Sequence, residues 1–211
     1  MKVYISQDTL SKGLSMVSRA VAARSAMPVL ANILLATDQG RLKLSTTNLE
    51  IGINCWVDAQ VEDEGAITVP ARLLSEYVSN LPNERVAMET AEPCTLNLSC
   101  ARIKTTLRGI EATEFPAIPV VGDAPSLTIS PDLLKEMVSQ VAFAASTRDA
   151  AVLSGILASF DGPAGTLTLA AADGFRLSVR SASLPSGNDQ QGDAIIPAYA
   201  MQEVARIVSA T

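Results

Sequence analysis

The chain of 211 residues contains no histidine, which removes the commonest general base and the commonest metal ligand. Acid–base work would fall to carboxylates, with Asp149 and Asp173 as candidates. The three cysteines, Cys55, Cys94 and Cys100, have neither CxxC spacing nor histidine partners, so no zinc site is expected. Their odd number, wide spacing and apolar neighbours fit reduced thiols in the cytoplasm. Glu62 and Glu64 read as a solvated acidic loop. GxxxxGK[ST], GxGxxG and GxSxG are all absent. With no cofactor, metal or catalytic residue implied, the expectation is a protein that is not an enzyme.

The remaining chemistry is electrostatic. A net charge of −6 argues against a simple basic DNA-binding surface. The charge is unevenly spread, however. In four predicted helical stretches (8–24, 71–80, 131–149 and 198–208), seven Lys and Arg meet six acids, whereas the rest of the chain holds nine bases and sixteen acids. The acid lies mostly off the helices.

The elements that position these charges repeat. GRLKLSTTNLEIGI (40–53) and GTLTLAAADGFRLSV (165–179) each read as two strands around a polar tip, and Gly40, Leu42, Leu44 and Asn48 match Gly165, Leu167, Leu169 and Asp173. Lys2–Ser25 matches Ser126–Asp149, each an alternating strand followed by a helix capped by Ser6 or Ser130, with Pro131 at a first helical position. Leu10, Leu14 and Val17, like Leu134, Val138 and Val141, recur at helical spacing. PVLANILLA (28–36) and AVLSGILAS (151–159) read as apolar strands. AITVPARLLSEYVSNL (66–81) and DAIIPAYAMQEVARIV (193–208) each read as strand, proline and amphipathic helix.

A shorter repeat lies inside the first copy: strand, helix and three strands over 1–59, and again over 66–108. One domain is therefore a duplicated βαβββ unit, with an α+β fold class. FPAIPVVGDAPS (115–126), with three prolines and a glycine, separates a first domain at 1–121 from a second at 127–211. The second copy stops after its second helix, which leads us to expect an incomplete second domain. Apolar content is 48%, enough for a core in each domain, and no apolar run approaches the roughly 18 residues of a membrane helix. Met1 is followed by Lys2 and a strand pattern, not by the apolar stretch of a signal peptide.

MPVLANILL (27–35), STTNLEIGI (45–53), TVPARLLSEYVSNLP (68–82), EFP (114–116) and ADGFRLSV (172–179) occur in one order along the repeat. This set resembles the bacterial sliding clamps, the beta subunits of DNA polymerase III. The resemblance implies a DNA clamp fold, with helices on one face of each domain and sheets on the outside. It implies a processivity factor that encircles double-stranded DNA without reading sequence and tethers the polymerase. It also implies a full-length homodimeric ring of three domains per subunit, the third absent here.

Residue by residue, the resemblance places Arg24, Arg148 and Arg72 at DNA-facing positions. Where bases are common in the family, the second copy has Ala198 and Tyr199, which weakens its inner charge or shifts it to Arg206. Leu153, Gly174, Phe175, Arg176 and Leu177 correspond to a pocket for the short apolar motif of DNA polymerase III and the clamp loader. Phe175 stands where a polar residue is usual, and Ala172 is smaller than the family's residue. Without the resemblance, Arg24 and Arg148 are arginines at helix ends, Asp173–Gly174 is a turn, and the leucines are core. Two other readings stay open: an α+β enzyme that uses carboxylates, and a protein-interaction module that never meets DNA.

Overall fold

The computed structural model describes residues 1–22, 26–92, 94–120, 122, 128–147, 152–184 and 191–208. Two compact units are formed, unit 1 from Met1 to Val120 and unit 2 from Val121 to Thr211.

In unit 1, alternation in KVYIS makes β1 (Lys2–Ser6), burying Val3 and Ile5. Helix α1 (Gln7–Val17) starts where the Ser6 side chain accepts the Thr9 N–H, satisfying one of the donors that a first helical turn leaves open. Its apolar stripe, Leu10, Leu14 and Val17, is fully buried. Strands β2 (Asn32–Asp38), β3 (Arg41–Thr47), β4 (Gly52–Val57), β5 (Gln60–Asp63) and β6 (Ala66–Pro70) follow. Helix α2 (Ala71–Ser79) then precedes β7 (Arg85–Ala91), β8 (Thr95–Cys100) and β9 (Ile103–Arg108).

The two halves of unit 1 exchange their first strands. All pairing is antiparallel: β1 joins the sheet β5-β1-β7-β8-β9, whereas β6 joins β4-β3-β2-β6. One core takes residues from both sheets and both helices, including Val3, Leu14, Ile33, Leu44, Leu74, Met88 and Leu98. Neither βαβββ half can therefore bury its apolar faces alone.

Unit 2 repeats half of this plan. Helix α3 (Pro131–Val141) is capped by Ser130, whose hydroxyl accepts the Leu133 N–H. Strands β10 (Gly155–Asp161), β11 (Thr166–Ala172), β12 (Leu177–Ser183) and β13 (Gln191–Pro197) precede α4 (Ala198–Ile207). The sheet order β12-β11-β10-β13 matches β4-β3-β2-β6. A separate core gathers Met137, Val138, Val141, Ile156, Leu169 and Met201.

Several expectations are corrected. The strand expected from Ser126 is not formed over 128–130: in unit 1 the equivalent strand is held by β5 and β7, and no such partners occur among the described residues of unit 2. The helices expected over 8–24 and 131–149 end earlier, in 3-10 turns at Ser18–Ala20 and Ala142–Ala144, after which Val21 and Ala145 are extended. The apolar runs 28–36 and 151–159 begin as turns, and their strands start at Asn32 and Gly155. The expected acidic loop around Glu62 contains β5, an edge strand held by β1 and by the Lys2–Glu62 ion pair at 2.8 Å.

The two hairpin tips have the same design. Asn48 accepts the N–H groups of Glu50 and Ile51, and Asp173 accepts those of Phe175 and Arg176. The next residue lies at positive φ in both: Leu49 at +74° and Gly174 at +88°. Glycine is at ease there, whereas leucine is not. Replacing Leu49, which is 63% exposed, by glycine should raise stability by about 1 kcal/mol, and Gly174→Ala should lower it by a similar amount. Denaturant midpoints of the two variants check both signs.

Candidate functional site

On the outer face of the unit 2 sheet, register and alternation line up apolar side chains. Val179 pairs with Ala170, Ala170 with Leu157, and Leu157 with Ile195, so one row crosses all four strands. Ile156, Leu167 and Leu169 point the other way into the core. Beside the row, Val152, Leu153, Leu157, Ala172, Leu177 and Ile195 line a groove of about 260 Å³. It is an exposed apolar surface: Leu177 is 69% and Leu153 41% accessible. Exposed apolar groups that adjoin in this way mark a contact surface, whereas scattered ones are ordinary.

Leu153 and Leu177 thus come together from segments far apart in sequence. Gly174, Phe175 and Arg176 do not line the groove; they form the hairpin tip next to Leu177. The Phe175 ring is 93% exposed. Arg176 donates from Nε to Asp173 Oδ2 at 2.9 Å, and its guanidinium carbon lies 5.7 Å from the centre of the Phe143 ring. Val152, Leu157 and Ile195 were not singled out from the sequence. Their alternation marks them as strand residues but says nothing about which face lies open.

Of the basic positions, Arg24 and Arg148 lie outside the described residues. Arg72, in the first turn of α2, is exposed and bonds Glu76 through Nε at 2.8 Å. Lys12 pairs with Asp8 at 2.7 Å, and Arg206 pairs with Glu203. Exposed pairs one helical turn apart are weak, so Lys12 and Arg72 can exchange a carboxylate for another anion at little cost, whereas Glu203, only 14% exposed, holds Arg206 in a half-buried pair.

No group of three or more potential metal ligands occurs among the described residues. Burial pushes the Cys55 and Cys100 thiols above their usual range, away from the reactive thiolate form. The Asp173 carboxyl is lowered, first by the Phe175 N–H it accepts and then by Arg176. Among the described residues, no helix is long and apolar enough to cross a membrane.

Residues 1–119 match the N-terminal domain and residues 128–211 the central domain of the DNA polymerase III beta subunit. The beta sliding clamp of Synechococcus elongatus is 37% identical over 99% of this chain and 56% of its own length. That of Streptomyces coelicolor is 31% identical over 99% of this chain and 55% of its own length. Among solved structures, a DNA polymerase III beta subunit from Eubacterium rectale superposes with a TM-score of 0.95 at 29% identity, covering 100% of this chain and 57% of that one. The DNA polymerase sliding clamp of Bacillus subtilis does so at 0.93 and 26%, covering 98% and 56%. The chain thus spans about half the length of the relatives it matches.

A depressed aspartate stabilises its fold fully above the ordinary carboxylate range and loses that contribution as pH falls through its lower folded value. The 173–176 tip should therefore loosen below about pH 4, whereas the Asn48 tip should not. Amide exchange at Phe175 and Arg176 as a function of pH reads this, and Asp173→Asn should abolish the acid-driven rise.

Proposed function

The chain belongs to the DNA polymerase III beta subunit family, and we propose that it serves as part of a DNA sliding clamp, a non-catalytic processivity factor that encircles duplex DNA and tethers a replicative polymerase. The observation that carries this reading is the repeated module. The same four-stranded sheet, the same capped helix and the same hairpin tip recur in units 1 and 2. Similar modules set about an axis can close a ring, and a ring holds its substrate by topology, so it needs no catalytic side chain.

Domain 1 in this reading is 1–121 and domain 2 is 127–211. The helices line the hole and the sheets form the outer wall of a cytoplasmic homodimer. Arg24, Arg72 and Arg148 meet phosphates loosely and read no base. Loose contact is what sliding requires: phosphate contacts position a protein without specifying sequence, and a deep ion pair would arrest it. The local pairing of Arg72 with Glu76 supports this reading.

The unit 2 groove takes the short apolar motif of the polymerase and the clamp loader. Leu153 and Leu177 supply its apolar floor, and Gly174, Phe175 and Arg176 its rim at the tip. Burying one or two aliphatic side chains there contributes about 1.5–3 kcal/mol each.

Retention on DNA tests the proposal. Loaded full-length protein, with the third domain that this chain lacks, should stay on a closed circle and run off the same DNA once it is linearised; equal loss from both would overturn the clamp and leave a protein-interaction module. Arg72→Glu should weaken direct DNA binding several-fold and reduce the salt slope by about one. In the full-length protein, Leu177→Asp should lower affinity for an apolar motif peptide about tenfold or more, while DNA retention stays unchanged.

A further inference from the structure

Unit 1 disposes of the corresponding outer face differently. Around Leu34, the counterpart of Leu157, its residues there are polar: Asn32, Ser45, Thr47 and Thr68 stand where unit 2 has Gly155, Ala170, Ala172 and Ile195. Core residues Ile33, Leu44 and Ile67 alternate with them and point inward. Yet none of the four is more than 6% exposed, although this is the face turned away from the core. The far end of the face is open, for Trp56 there is 40% exposed, with Lys43 over its ring.

The cover is the chain's own segment GIEATEFPAI, residues 109–118. At the β6 edge, Ile110 and Thr68 exchange both backbone hydrogen bonds, at 3.0 and 3.1 Å, and the Thr68 hydroxyl donates to the Ile110 carbonyl at 2.9 Å. Asn32 in turn donates to that hydroxyl at 3.0 Å. A Cβ on Gly109 would lie 2.0 Å from the Thr68 carbonyl oxygen, so only glycine allows the approach. The turn Ala112–Glu114 packs against β6. At the opposite edge of the sheet, Ile118 rests on Gly52, where an added Cβ would come within 2.7 Å of its Cγ2. The segment therefore reaches both edge strands of β4-β3-β2-β6.

We infer that unit 1 carries a second extended-peptide site on this face, held shut in cis by residues 109–118. Its ligand class is a segment of the same chemistry: an extended backbone that bridges Thr68, with aliphatic side chains at the places of Ile110 and Ile118. The floor favours an extended backbone, because the Thr68 hydroxyl, which already accepts the Asn32 amide, donates its own proton to the backbone carbonyl at the Ile110 position. This inference does not depend on whether the unit 2 groove takes a peptide.

Hydrogen exchange on the whole chain tests it, with a synthetic peptide of sequence 109–119 as the probe. In the double variant Ile110→Ala/Ile118→Ser, the Thr68 amide should exchange about tenfold faster or more, while Val86 and Leu96 in the core strands stay protected. Added peptide should restore Thr68 protection in the variant and change nothing in the native chain. Unchanged Thr68 exchange, or a peptide that fails to restore it, would overturn the inference. Should the core strands also lose protection, Gly52→Ala decides. Its methyl meets Ile118 alone, so the Ile110 amide, bonded to the Thr68 carbonyl, should exchange faster over an intact core, and no change there would refute the cis closure.

Discussion

A sheet that buries one face must dispose of the other. Each four-stranded sheet here turns one set of alternating residues into the core, and what stands on the opposite set decides what the unit can do. Unit 1 places polar residues around Leu34 in that set and roofs it with residues 109–118, through the Thr68–Ile110 bridge and the Gly52–Ile118 contact. Unit 2 makes it apolar, with Leu157, Leu177, Val179 and Ile195 all well exposed. Contiguous apolar surface of this kind marks a contact site. The same backbone plan therefore yields a covered face in one unit and an open apolar groove in the other.

For the proposed clamp, the helices of each unit would meet a second constraint, that of holding a polyanion without stopping it. Lys12, Arg72 and Arg206 each carry an acid one turn away on their own helix. Such pairs mute the field that each cation projects, and a chain of net charge −6 attracts DNA weakly overall. A protein retained by attraction would be built the opposite way, with unpaired cations in a dense patch. Retention by enclosure tolerates weak contacts, since detachment requires opening the ring.

What could be read from the sequence was local. Ser6 and Ser130 as caps, Pro131 at a first turn, and the tips at Asn48 and Asp173 all act within four residues, so their signals are complete in the chain. The family resemblance rested on those same local words. What could not be read was set by tertiary partners. Strand β5 exists because β1 lies beside it, and 128–130 stays unpaired without an equivalent of β7. The 3-10 ends at Ala20 and Ala144 follow from burial of those alanines against the cores. Leu153 and Leu177 were found through the resemblance; Leu157 and Ile195 were not, because exposure of a strand residue depends on what covers its face. Ile118 lies in the stretch 115–126 that reads as a linker, and it rests on Gly52 instead.

Enclosure and attraction differ most in their response to salt. A protein held by phosphate contacts loses about 10³–10⁵ in affinity between 50 and 200 mM salt. Single-molecule residence times of the loaded protein on closed circular duplex, taken across that range, should change by less than about tenfold if the hold is topological. A fall of a thousandfold or more would show that charge holds the DNA, and would contradict the account.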